Sequence, residues 1–139
     1  MNNTIFFHVA NQELIPVDSK YENITNIDNY ADESIEKVII QDMCDFLKQS
    51  DVPIAMQKIF QKISPNGSLT MQGVDIKQLS NAVCFSHVSI EDCQDIIFNS
   101  KQSMHTMSQM IEYLKEIGFI IGTKKYINLV QYYIVAIKE

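Results

Sequence analysis

Positive charge is scarce in this sequence. Eleven Lys and Arg stand against 17 Asp and Glu, for a formal net charge of −6 and a pI of about 5.0. Apart from Lys124-Lys125 the basic residues do not cluster. Such a chain repels phosphate backbones, which argues against nucleic-acid binding as its main role. Long apolar runs are missing as well. None reaches the roughly 18–20 residues that a membrane-spanning helix needs, so no membrane role is expected. The start, Met-Asn-Asn-Thr, has no basic segment, and no signal peptide is read there. Cysteines number three: Cys44, Cys84 and Cys93, with no Cys-x-x-Cys. The expectation is buried free thiols in a reducing cytoplasm. His8, His87 and His105 lie far apart and pair with nothing at i+3 or i+4, so no metal site is expected. No Walker-type loop, Gly-x-Ser-x-Gly elbow or Ser/His/Asp context is present.

What remains is an ordinary globular composition. The chain has 139 residues, 46% hydrophobic and 20% charged, which suits one domain over 1–139 with one core. Thr4 to Val9 is aromatic and β-branched and reads as a strand covered on both faces. A short strand, Leu14 to Val17, follows. The stretch 19–34 is polar and turn-rich, with a weak strand around Glu22 to Thr25. Ile35 to Ile40 is a firmer strand, and Met43 to Leu47 fits one helical turn. Asp51 is placed to cap the next helix, with Pro53 in its first turn. Met56, Ile59, Phe60 and Ile63 form that helix's core stripe.

Ser64-Pro65-Asn66-Gly67 stops this helix, because Pro cannot continue it and Asn-Gly suits positive-φ turn positions. Ser68 to Gln72 is then a strand ended by Gly73. Helices are expected over Asp75 to Cys84, from Ser89 to about Phe98, and from the capping box Thr106-Met107-Ser108-Gln109 to Gly118. Residues 99–105 form a loop. Phe119 to Tyr126 and Val130 to Lys138 read as strands joined at Ile127-Asn128-Leu129. Strands alternate with helices until this closing hairpin. The predicted fold is therefore α/β, with a mostly parallel sheet, helices on its faces and an antiparallel pair at the C-terminus.

Three segments, in order, resemble class I S-adenosylmethionine (SAM) dependent methyltransferases. Asp32-Glu33-Ser34-Ile35-Glu36-Lys37-Val38-Ile39-Ile40 resembles the lead into that family's fourth strand. Ile59 to Leu69, with Ser64-Pro65-Asn66-Gly67, resembles the helix–turn–strand joint before the fifth. Met110-Ile111-Glu112-Tyr113-Leu114-Lys115-Glu116-Ile117-Gly118-Phe119 resembles the helix leading into the sixth. The resemblance covers about residues 24–139 and implies a three-layer Rossmann-like fold whose N-terminal part is shortened. The family's first strand ends in a glycine-rich turn, which lets the backbone approach the cofactor. Here His8-Val9-Ala10-Asn11-Gln12-Glu13 has no glycine, and the crossover to the second strand is short.

By this resemblance, His8, Ala10, Asn11 and Gln41 would line the cofactor site. Asp18 would take the place of the ribose-binding acid, since a carboxylate accepts from a vicinal diol. Asn23 and Ile24 would fall at the adenine. Gln41 to Leu47 would face the methyl acceptor, with Asp42 and Asp45 to position it or act as general base. Methyl transfer rests mostly on proximity and alignment. Two functional readings follow. One is a SAM-dependent methyltransferase of a small-molecule or sugar-type substrate, with a degenerate cofactor site. The other is a catalytically inactive methyltransferase-fold binding or scaffold protein. Tyr126, Tyr132 and Tyr133 lie on the closing hairpin. The free sheet edge of a shortened sheet leads to the expectation of a homodimer.

Overall fold

The structure is a computed structural model that describes residues 4–9, 20–99 and 101–139. β1 (Thr4–His8) buries Ile5, Phe6 and Phe7, as its doubly apolar pattern requires. β2 (Lys20–Asn23) runs parallel beside it, with Ile5 opposite Lys20 and His8 opposite Asn23. The strand foreseen at Leu14 to Val17 lies outside the described residues. The weak strand foreseen from Glu22 starts earlier and stops at Asn23. There the Asn23 carboxamide oxygen accepts from the Thr25 N–H (3.0 Å) and hydroxyl (2.8 Å), opening a 3-10 stretch over Ile24–Asn29. Local side-chain bonding of this kind competes with continued extension.

β3 (Ile35–Gln41) follows, then 3-10 turns at Met43–Phe46 and Gln49–Asp51. α1 (Val52–Lys62) carries Pro53 in its first turn as foreseen. Asp51 does not cap it, however. Its backbone is already helical, at φ −87° and ψ −17°, and its side chain makes no capping bond. β4 (Ile63–Val74) begins directly after the helix, five residues before the expected strand start at Ser68. The Ser-Pro-Asn-Gly stretch is a bulge inside the strand. Between the pairs Ile35–Ile63 and Lys37–Ser68, β3 advances two residues while β4 advances five. Only Asn66 takes a positive φ, of 67°. Gly67 is needed for space, because a Cβ there would lie 2.7 Å from the Glu36 carbonyl oxygen.

α2 (Ile76–Cys84) and α3 (Ile90–Ile97) form a short excursion before α4 (Met107–Ile117). Thr106 and Gln109 form the foreseen capping box of α4, and Gly118 closes it at φ 127°. β5 (Ile120–Tyr126) and β6 (Gln131–Ile137) complete one six-stranded sheet of order β2-β1-β3-β4-β6-β5. The first four strands are mutually parallel, and β6 is antiparallel to both β4 and β5. The fold is thus the expected Rossmann-like α/β architecture with a C-terminal antiparallel hairpin. Of the cysteines only Cys44 is buried. Cys84 is exposed and Cys93 is half-buried, contrary to the expectation for all three, and each is a free thiol.

Ile5, Phe7, Val38, Ile40, Leu69, Met71, Ile134 and Ala136 share the core with Val52, Met56 and Ile59 of α1 and Met110 and Leu114 of α4. Each of the larger of these side chains contributes roughly 1.5–3 kcal/mol on burial. Among the described residues no helix is long and apolar enough to cross a membrane. The strand order matters most for function. The chain leaves β1 for β2 on one side and returns to β3 on the other. That reversal falls at the carboxyl ends of β1 and β3, the position at which open α/β sheets bind ligands.

Candidate functional site at the carboxyl edge of the sheet

Several predicted residues meet at this edge. His8 ends β1 directly opposite Asn23 of β2. Gln41 stands one step past the Phe7–Ile40 pair and opposite Gln72 of β4. With a period of two, these four form one polar row on a single sheet face. His8 Nδ1 lies 3.2 Å from the Val9 carbonyl oxygen. Ile24 departs from the row. It packs against the core on the α1 side and lines an apolar recess of about 180 Å3 with Ile27, Leu47, Ile54 and Ala55. Ala10, Asn11 and Asp18 lie outside the described residues.

The two proposed acceptor-side carboxylates have different surroundings. Asp42 turns the chain at the end of β3, with φ 57°. Its N–H donates to Gln72 O (2.9 Å), and its carbonyl accepts from the Asp45 N–H (3.0 Å). Burial raises its side-chain pKa, while Lys101 and a hydrogen bond from Gln131 pull it down. Asp45 is only 1% exposed. Its Oδ2 accepts from Lys101 Nζ at 3.1 Å and from the Val74 N–H at 3.2 Å. Burial pushes this carboxyl up to about 6, against the opposing pull of Lys101 and the Val74 N–H.

A strap closes over this turn. The Gln102 and Ser103 N–H groups donate to the Asp45 carbonyl at 2.8 and 3.2 Å. The Ser103 hydroxyl donates to the Cys44 and Leu47 carbonyls at 3.0 and 2.7 Å. Lys101 also sits 5.2 Å from the centre of the Phe46 ring. From the other side, Tyr132 of β6 reaches under Gly73, its register partner on β4. A Cβ at Gly73 would lie 2.6 Å from the Tyr132 hydroxyl and 3.2 Å from Asp45 Oδ1. Neither that hydroxyl nor Asp45 Oδ1 has a hydrogen-bond partner among the described residues. Burial, reinforced by the thiol of Cys44 and the neighbouring carboxylates, holds the phenol well above its usual range.

Asp75, next along, is a buried junction. Its Oδ1 accepts from the Lys77 and Gln78 N–H groups and caps α2. Its Oδ2 accepts from the Met107 N–H at the start of α4 and from the Tyr126 hydroxyl, both at 2.9 Å. His105 pairs its backbone with Asp75, is 1% exposed and packs edge-on to Tyr113. Desolvation lowers its pKa. Sequence reasoning gave no place at this edge to Lys101, assigned no such role to His105 or Tyr132, and did not foresee the hydrogen-bonding role of Asp75. Only Asp75 had a signal, an Asp directly before an apolar-periodic helix. Lys101 meets Asp45 across 56 positions of sequence, for which a single chain carries no sign.

A general base must come within about 2.6–3.2 Å of the proton it takes. Asp45 engages Lys101 and the Val74 N–H beneath a backbone strap, as one half of a buried ion pair. Asp42 is the more exposed of the two carboxylates. For the cofactor, the described residues do not supply the required cradle. The four glycines of the chain are Gly67, Gly73, Gly118 and Gly122, and none follows β1. Gly73, the one glycine at the carboxyl edge, has its free space filled by Tyr132. The turn after β1 that the resemblance assigns to SAM, residues 10–13, lies outside the described residues, and its sequence carries no glycine.

No family model matches the chain, and no curated protein matches it. Its fold is shared with solved structures. A Bordetella parapertussis protein described as a possible exported protein superposes with a TM-score of 0.66 at 13% identity, over 86% of this chain and 44% of that one. A SAM-dependent methyltransferase from Archaeoglobus fulgidus gives 0.62 at 10% identity, over 87% and 68%. One from Methanosarcina mazei gives 0.57 at 14% identity, over 86% and 66%. The chain thus spans less than half of the Bordetella protein. Structural neighbours include SAM-dependent methyltransferases, and the likeness is one of fold.

Proposed function

We propose that this chain is a methyltransferase-fold protein that works by binding rather than by methyl transfer. The observation that carries this reading is the closed acceptor edge. The Asp45–Lys101 pair lies under the strap that Gln102 and Ser103 fasten, and Tyr132 fills the space beside Gly73. In this reading the sheet is kept as a scaffold, and the acceptor side is sealed by groups that stabilise one another. A fold of this kind hosts unrelated functions, so activity has to come from the site.

A second reading is a SAM-dependent methyltransferase acting on a small molecule. It draws on the fold neighbours and on the polar row Asn23–His8–Gln41 at the carboxyl ends of β2, β1 and β3. Asp42 would then orient the acceptor. Calorimetric titration of the purified protein with SAM and S-adenosylhomocysteine separates the two. The binding reading expects no heat at millimolar ligand. Saturable binding that Asn23→Ala and Gln41→Ala weaken would overturn it in favour of the enzyme.

A further inference from the structure

The excursion between β4 and α4 exposes three large apolar side chains. Phe85 after α2, Ile90 at the start of α3 and Phe98 at its end are 73%, 65% and 80% exposed. α3 buries none of its residues fully. The same arm is acidic, carrying Glu91, Asp92 and Asp95 and no Lys or Arg between residues 85 and 99. At about 100° per residue, Glu91 falls next to Phe98 around the helix and Asp95 falls just beyond it. An aromatic knob thus has two carboxylates along one side of it.

A groove of opposite character runs along the free edge of the sheet, between α4 and β5. It has a volume of about 440 Å3. Ile111, Phe119, Ile120 and Ile121 line it, and Lys115 and Lys124 rim it. β5 is the last strand in the sheet order, so its outer edge has no strand partner among the described residues. Ile120 is 46% exposed there. The arm does not fill the groove of its own chain, since both stay open in the same structure. Each still carries what the other lacks: apolar knobs with carboxylates on one, an apolar floor with ammonium groups on the other.

We infer that two copies of this chain associate reciprocally, the α3 arm of each lying in the α4–β5 groove of the other. Exchange of this kind closes under two-fold symmetry and leaves no free arm. It covers an edge strand that would otherwise invite unspecific pairing. Charge complementarity selects the occupant. Arm against arm would oppose three carboxylates to three, and groove against groove would oppose lysines. Arm in groove neutralises both.

Light scattering and sedimentation test this. The wild-type protein is expected to be a dimer in low salt and to loosen in about 1 M NaCl, where screening shortens to about 3 Å. Lys115→Glu with Lys124→Glu is expected to give a monomer, as is Glu91→Lys with Asp95→Lys. All four changes in one chain are expected to restore the dimer. Phe98→Ser, at a solvent-facing side chain, is expected to weaken association about tenfold or more. Circular dichroism verifies that each variant is folded. A wild-type monomer at high concentration overturns the inference, even if the arm then captures a different protein. So does a dimer that neither half-swap shifts, or a folded fourfold variant that stays monomeric.

Discussion

Gly73→Ala probes the sealed acceptor edge directly. The added Cβ would lie 2.6 Å from the Tyr132 hydroxyl and 2.9 Å from the ring carbon that carries it. Both distances are too short for real contacts, and Tyr132 is fully buried, so the ring has nowhere to swing. Overpacking of this kind costs about 1–3 kcal/mol. For a chain of this size that lowers Tm by roughly 3–10 °C. Tyr132→Phe alone should be close to neutral, because the hydroxyl it deletes is buried without a partner among the described residues. In the double variant the closest clash is gone, while the 2.9 Å contact to the ring stays. The double variant should therefore recover part of the loss, with a coupling of about 1 kcal/mol. Urea unfolding followed by far-ultraviolet circular dichroism measures this, since the chain has no Trp to report by fluorescence. Strictly additive effects would refute the packing of Tyr132 beneath Gly73.

Lys101→Met should destabilise by about 3–5 kcal/mol at pH 7.5, because it leaves the buried Asp45 carboxylate without its counter-charge. The folded pKa of Asp45, about 6, exceeds the unfolded value, so its contribution is complete below pH ~4 and is lost as pH rises through 6. Without Lys101 that pKa rises further, so the penalty should shrink markedly at pH 5; a pH-independent penalty in urea titrations would contradict this. Asp75→Ala removes the acceptor shared by α2, the start of α4 and Tyr126, and should cost about 3–5 kcal/mol. Hydrogen exchange should show α2 losing protection first, and uniform loss across the sheet would argue against a local junction.

Much of the fold was legible from local chemistry. The α4 capping box and Gly118 stop, the Pro53 start and the closing hairpin depend on residues within a few positions of one another. The misreadings fall where a neighbour distant in sequence decides. Ile63 to Gly67 reads locally as a turn, but pairing with β3 and the hydrogen bonds between Asn66, Gly67 and Lys138 draw it into a bulged strand. Asp51 looks like a cap, yet a 3-10 turn ahead of it has already made its backbone helical. Cys84 and Cys93 have apolar neighbours in sequence, but those neighbours belong to an arm that the core does not cover.

The candidate site was legible only in outline. Period-two strands and the strand order put His8, Asn23 and Gln41 at one edge, because register follows from pattern. What that edge can do depends on Lys101 and Tyr132, which arrive from a loop and from the antiparallel strand. Lys101 makes Asp45 one half of an internal ion pair, and Tyr132 brings a buried phenol beside it. The Gly73 site makes the same point in geometric terms. In sequence it looks like a strand end; in the fold it is the gap that admits a phenol from β6. A glycine at a binding edge can admit a ligand or a side chain of its own protein, and here the side chain occupies the space.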